Sequence, residues 1–130
     1  MSDHKLQQAQ NLISPFAEFA YLMGSYDTVK FTSESDVDIA VYFRPNIKLE
    51  TKSELLTNLE ALFNCDVDLV ELNKIDPIFS RQILETGRLI INQNPDLLLK
   101  WKAVQTSLYF DFKKSREIIE KNLLHRKSYG

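Results

Sequence analysis

Three aspartates hold the chemistry this chain is equipped for. Asp36 and Asp38 open the run Asp-Val-Asp-Ile-Ala-Val-Tyr-Phe, and Asp68 sits in a later run, Cys65 to Leu72, with the same alternation of acid and apolar residues. Both runs are rich in β-branched and aromatic residues and read as strands, whose side chains alternate between two faces. Asp36 and Asp38 then share a face with Ala40 and Tyr42, while Val37, Ile39, Val41 and Phe43 turn to the other face and supply core contact. Carboxylates gathered on a sheet repel one another and are costly to desolvate without partners, so the cluster implies a bound cation. Hard oxygen ligands favour Mg²⁺ over zinc or copper. Asp66 has the same facing parity as Asp68, and the sequence leaves both open as the third carboxylate.

Ten intervening residues separate Asp36 from another pair of interest, Gly24-Ser25. Glycine permits a close backbone approach that a side chain would block, and serine adds a hydroxyl and an N–H, a combination suited to phosphate. Lys30, in the polar stretch between, is a further candidate for the same charge. Metal ligands beside a phosphate-binding turn suit nucleotidyl transfer, in which catalysis is mostly positioning and charge neutralisation. Two divalent ions about 3.5–4 Å apart can stabilise the attacking and leaving oxygens together. Asp36 and Asp38 are the candidate metal ligands. Asp68 is placed to complete a second metal site and to help deprotonate the incoming hydroxyl.

The surrounding elements follow from pattern and punctuation. An amphipathic helix is expected from about His4 to Ser14, with Leu6, Ala9 and Ile13 on one stripe and Pro15 ending it. Phe16 to Met23 reads as the first strand, leading into Gly24-Ser25, and Asp36 to Phe43 as the second. Thr51-Lys52-Ser53-Glu54 fits a capping box ahead of Leu55, Leu59 and Phe63, predicting a helix from there to about Asn64. A third strand spans Asp66 to Leu72. Asp76-Pro77 predicts an N-cap with proline in the first turn, and Gly87 is placed to stop that helix. Arg88 to Ile91 forms a short fourth strand. Asn94-Pro95-Asp96 opens a long helix, about 95–124, with the stripe Leu97, Trp101, Val104, Leu108, Phe112, Ile119 and Leu123, expected to pack on the sheet through Leu97, Trp101 and Leu108. Tyr109, Phe110 and Phe112 spread aromatics beyond that stripe, as a protein interface would. The architecture expected is α/β (α+β): a small mixed sheet flanked by helices in one domain, 1–130, with its catalytic core at about 16–91.

Composition narrows the classes further. A net charge of −2 at 130 residues carries no basic footprint, which disfavours direct nucleic-acid binding. One cysteine, Cys65, and two histidines exclude an internal disulfide and a Cys-rich zinc site, and fit a reducing cytoplasm. No apolar run reaches the roughly 18 residues of a membrane span, and the N-terminus lacks the pattern of a signal peptide.

Gly24-Ser25, ten intervening residues and Asp36-Val37-Asp38 resemble the signature of the minimal nucleotidyltransferases of the DNA polymerase β superfamily, and Val67 to Leu72 resembles their third-aspartate strand. Among these the chain is most similar to the MntA-type antitoxins of HEPN/MNT toxin–antitoxin pairs. The resemblance implies the nucleotidyltransferase fold and an ATP- and Mg²⁺-dependent protein adenylyltransferase that moves AMP onto a tyrosine of a cognate HEPN-type ribonuclease toxin and silences it. By position it gives Asp36, Asp38 and Asp68 as the metal-binding carboxylates, and Gly24 with Ser25 as the contact to the triphosphate. Asp27-Thr28-Val29 departs from the Ala-Arg-Gly-like stretch of many relatives. Two other readings stay open: nucleotidyl transfer to a small molecule, which in this fold usually goes with an additional substrate domain, and an antitoxin that acts by binding alone.

Overall fold

The computed structural model describes residues 3–23 and 37–129. The elements run α1 (Asp3–Ile13), β1 (Ala17–Met23), β2 (Val37–Phe43), α2 (Leu49–Phe63), β3 (Val67–Glu71), α3 (Pro77–Thr86), β4 (Arg88–Asn92) and α4 (Pro95–Tyr129), with 3₁₀ turns at Ser14–Phe16 and Leu72–Lys74. The four strands form one mixed sheet in the order β3-β2-β1-β4. β1 pairs antiparallel with β2 and with β4, whereas β2 and β3 are parallel, joined by the α2 crossover.

Both sheet faces are covered. Leu6, Ala9 and Ile13 of α1 and Leu55, Leu59 and Phe63 of α2 close over Val37, Ile39, Val41 and Phe43 on one face. Each such fully buried side chain contributes about 1.5–3 kcal/mol relative to exposure. On the other face, Phe19, Tyr21, Met23 and Ala40 meet Leu72, Ile83, Leu98 and Trp101. Phe19 anchors that second core, with its ring 4.8 Å from Tyr42 and 5.4 Å from Trp101, centroid to centroid. The face of β2 that bears Asp38 is therefore apolar further along, and only its start remains polar.

The ends of α3 match the sequence signals. Asp76 accepts a hydrogen bond from the Phe79 N–H at 2.9 Å, and Pro77 occupies the first turn. Gly87 stops the helix through space rather than through a left-handed turn, since its φ is −79°. A Cβ there would lie 2.6 Å from the Ile83 carbonyl oxygen and 3.2 Å from the Tyr21 ring. Ser80, fully buried, donates to Gln105 Oε1 at 2.8 Å and ties α3 to α4.

Two expectations need correction. α2 begins at Leu49 with Lys48 at its N-cap and no side-chain cap, so Thr51–Glu54 lie inside the helix rather than forming a capping box. The apolar stripe alone, with Leu55, Leu59 and Phe63 seated in the core, outweighs the missing cap. α4 packs on the sheet only over its first turns: Leu98 and Trp101 are buried, while Leu108 is 43% exposed and Val104, Phe112, Ile119 and Leu123 more so. A helix advances 1.5 Å per residue, and by Leu108 it has run past the small sheet.

Candidate active site

The parallel register sets Asp38 directly opposite Asp68, between the pairs Val37–Val67 and Ile39–Leu69. Neighbouring strands lie about 4.8 Å apart, so the two carboxylates start side by side on one face. Asp38 is half-buried and Asp68 exposed, and both open into a cleft of about 460 Å³. Asp66 falls just before β3, is exposed, and uses its carbonyl oxygen to accept the Val37 N–H at 3.0 Å. Among the described residues it is thus Asp68, not Asp66, that stands across from Asp38 at the cleft.

Several elements build this corner. β1 ends at Met23, paired with Asp38, and β2 and β3 begin beside it. Its far wall is one face of α3, which contributes Phe79, Gln82 and Thr86. Gly24, Ser25, Lys30 and Asp36 lie outside the described residues, as does the divergent stretch Asp27–Val29. Among the described residues no group of three or more His, Cys, Asp or Glu side chains is gathered at a metal-binding spacing. Asp38 and Asp68 form a two-carboxylate, all-oxygen donor set, which fits a hard divalent cation of the Mg²⁺ kind. Opposite Ala40 on β2, burial raises the Tyr21 phenol above its ordinary value of 10.0.

The α3 wall was not among the candidate residues. Its signal was nonetheless in the sequence, because the Asp76-Pro77 start sets the phase of α3. Phe79, Gln82 and Thr86 follow at helical spacing, out of phase with buried Ser80 and Ile83.

A family model, Polymerase beta, Nucleotidyltransferase, matches residues 7–96. The chain belongs to this nucleotidyltransferase family. That span contains every strand among the described residues, the cleft and all the candidate site residues. Protein adenylyltransferase MntA of Shewanella oneidensis is 29% identical over 106 residues, which cover 81% of this chain and 75% of that protein. A toxin–antitoxin crystal structure with AMP-PNP matches with a TM-score of 0.73 at 24% identity, covering 95% of this chain and 99% of the matched one. A tri-AMPylated Shewanella oneidensis HEPN toxin in complex with MNT antitoxin gives the same TM-score, identity and coverage. The four-stranded mixed sheet with its long last helix is thus a nucleotidyltransferase-like fold, and the chain is a homologue of a protein adenylyltransferase.

Proposed function

We propose that this chain is a Mg²⁺-dependent protein adenylyltransferase antitoxin of the cytoplasm, transferring AMP from ATP to a tyrosine of a cognate HEPN-type toxin and so neutralising it. The observation that carries the reading is the side-by-side placement of Asp38 and Asp68 at an open cleft, in a chain homologous to a protein adenylyltransferase. In the reaction the tyrosine oxygen attacks the α-phosphorus, a new P–O bond forms, and the bond to the bridging oxygen breaks. Pyrophosphate leaves with the electron pair, and the phenolic proton passes to a carboxylate, for which Asp68 is the candidate base. Asp36, Asp38 and Asp68 would hold Mg²⁺, which when bound neutralises triphosphate charge. Gly24 and Ser25 are the proposed contacts to the triphosphate.

The toxin needs a surface as well as a tyrosine. Beyond the sheet, α4 exposes Phe110 and Phe112 together with Leu108, Ile118, Ile119 and Leu123. A monomer gains nothing from so much exposed apolar surface, whereas an interface core is built of such residues. On this reading the unit 1–130 divides into a catalytic core, about 16–91, and a docking helix.

Intact-mass spectrometry of the cognate toxin after incubation with this chain, ATP and Mg²⁺ tests the proposal. One or more added AMP units, absent with Asp38→Asn, support transfer to protein. A stable complex with no mass gain overturns the catalytic reading and leaves an antitoxin that acts by binding. Phe110→Asp is expected to weaken complex formation without lowering the melting temperature, and unchanged binding would remove α4 from the interface.

A further inference from the structure

We propose that Gln82 reads the nucleobase of the donor nucleotide and sets a preference for adenine over guanine. This rests on the nucleotidyl-transfer reading above and assigns the opposite wall of the same cleft.

The cleft is chemically two-sided. One side presents the carboxylates of Asp38 and Asp68; the other presents Phe79, Gln82 and Thr86, with no lysine or arginine among the described lining residues. Gln82 and Thr86 lie in the C-terminal half of α3, towards the end where the helix dipole carries partial negative charge. Such a wall repels a triphosphate and suits the uncharged end of a nucleotide. Phe79, one turn before Gln82, supplies an apolar ring against which a base can lie.

The state of the Gln82 amide sharpens this. Elsewhere in the fold the side-chain amides at element junctions are committed: Gln10 donates to the Ile90 carbonyl, Gln93 to Ser14 and Ala17, and Gln105 accepts from Ser80. Among the described residues the Gln82 side-chain amide has no hydrogen-bond partner, although it lines the cleft that holds the acidic pair. Thr86 donates its hydroxyl proton to the Gln82 backbone carbonyl oxygen at 2.8 Å, which leaves its own oxygen as an acceptor for a ribose hydroxyl. A primary amide offers one acceptor and one donor side by side. Adenine answers both at once, with its exocyclic amine donating and N7 accepting, whereas guanine presents two acceptors, O6 and N7, and can satisfy only the donor. An arginine in the same place would pair with guanine instead.

The test compares ATP and GTP with the full chain, its cognate toxin and Mg²⁺, using wild type, Gln82→Ala and Gln82→Arg. Transfer is read by mass, and nucleotide binding separately by calorimetry without toxin. Wild type is expected to favour ATP by on the order of 10–100-fold in kcat/KM and in affinity. Gln82→Ala should collapse that ratio through KM for ATP with kcat little changed, and Gln82→Arg should shift it towards GTP. Gln82 is exposed, so melting temperatures should be unaltered. An ATP-to-GTP binding ratio unchanged in both variants, or no preference in wild type, overturns the inference. A wild type that transfers neither nucleotide yet binds ATP selectively through Gln82 overturns the function proposed above and leaves this one standing.

Discussion

The two ends of the β2–β3 pair use the same parallel ladder for opposite purposes. Where the strands begin, Asp38 and Asp68 face one cleft, and no lysine or arginine neutralises Asp68 among the described residues. Where they finish, the polar groups are tied off. Asn73 takes the Phe43 N–H on its Oδ1 at 2.8 Å and donates from its Nδ2 to the Phe43 carbonyl oxygen at 3.1 Å. Lys52 pairs with Glu71 and lies 5.0 Å from the centre of the Phe43 ring, and the Arg44 N–H donates to the Phe16 carbonyl oxygen. Polar groups satisfied within the chain support the fold, and a carboxylate such as Asp68, turned to the cleft, is placed to support chemistry.

Substitutions at each end should therefore fail in different assays. Asp68→Asn is expected to lower AMP transfer by about 10²–10⁴-fold, with the unfolding midpoint unchanged or raised as a charge beside Asp38 is removed. A comparable loss of both would dissolve the contrast. At the tied end, Asn73→Ala should cost about 1–3 kcal/mol in denaturant unfolding, because two backbone groups of Phe43 lose their partner, with transfer per folded molecule unaffected. Lys52→Met should cost less, roughly 0–1 kcal/mol, since the pair is partly solvated and the methionine keeps contact with Phe43. The smallest effect is set by pH. Burial raises the folded Tyr21 pKa above 10.0, so the unfolded phenol ionises first and stability falls as pH climbs past 10. Tyr21→Phe should flatten that alkaline decline in melts from pH 9 to 11, and an unchanged slope would show that another group causes it.

The contrast was only half legible in the amino acids. The strand patterns put Asp38 and Asp68 on facing positions that the structure sets side by side, while Asp36 lies outside the described residues, and Asp76-Pro77 with Gly87 bounded α3 to the residue. Strand register was not readable, because Asp66 and Asp68 share parity and a slip of two residues exchanges them; the Val37-to-Asp66 hydrogen bond decides between them. The capping box misled for the reverse reason. Local cap chemistry is a weak term, and the seating of Leu55, Leu59 and Phe63 overrode it. In α4 the apolar period ran on after the sheet had ended, since periodicity records a face without naming what covers it. For Phe79, Gln82 and Thr86 the sequence carried the helical phase but not the role, because only tertiary packing sets that face opposite the carboxylates.

Trp101 is the chain's only tryptophan, and it is wedged where α4 leaves the sheet, with Phe19 and Tyr21 alongside and its indole Nε1–H unpartnered among the described residues. A single optical reporter thus stands at the junction between the core and the exposed part of α4. Its emission should be blue-shifted in the native state, sensitised by energy transfer from Tyr21, and free of any second indole to confuse the reading. Watching that one fluorophore during toxin addition separates a partner that merely grips the far end of α4 from one that levers the whole helix off its seat.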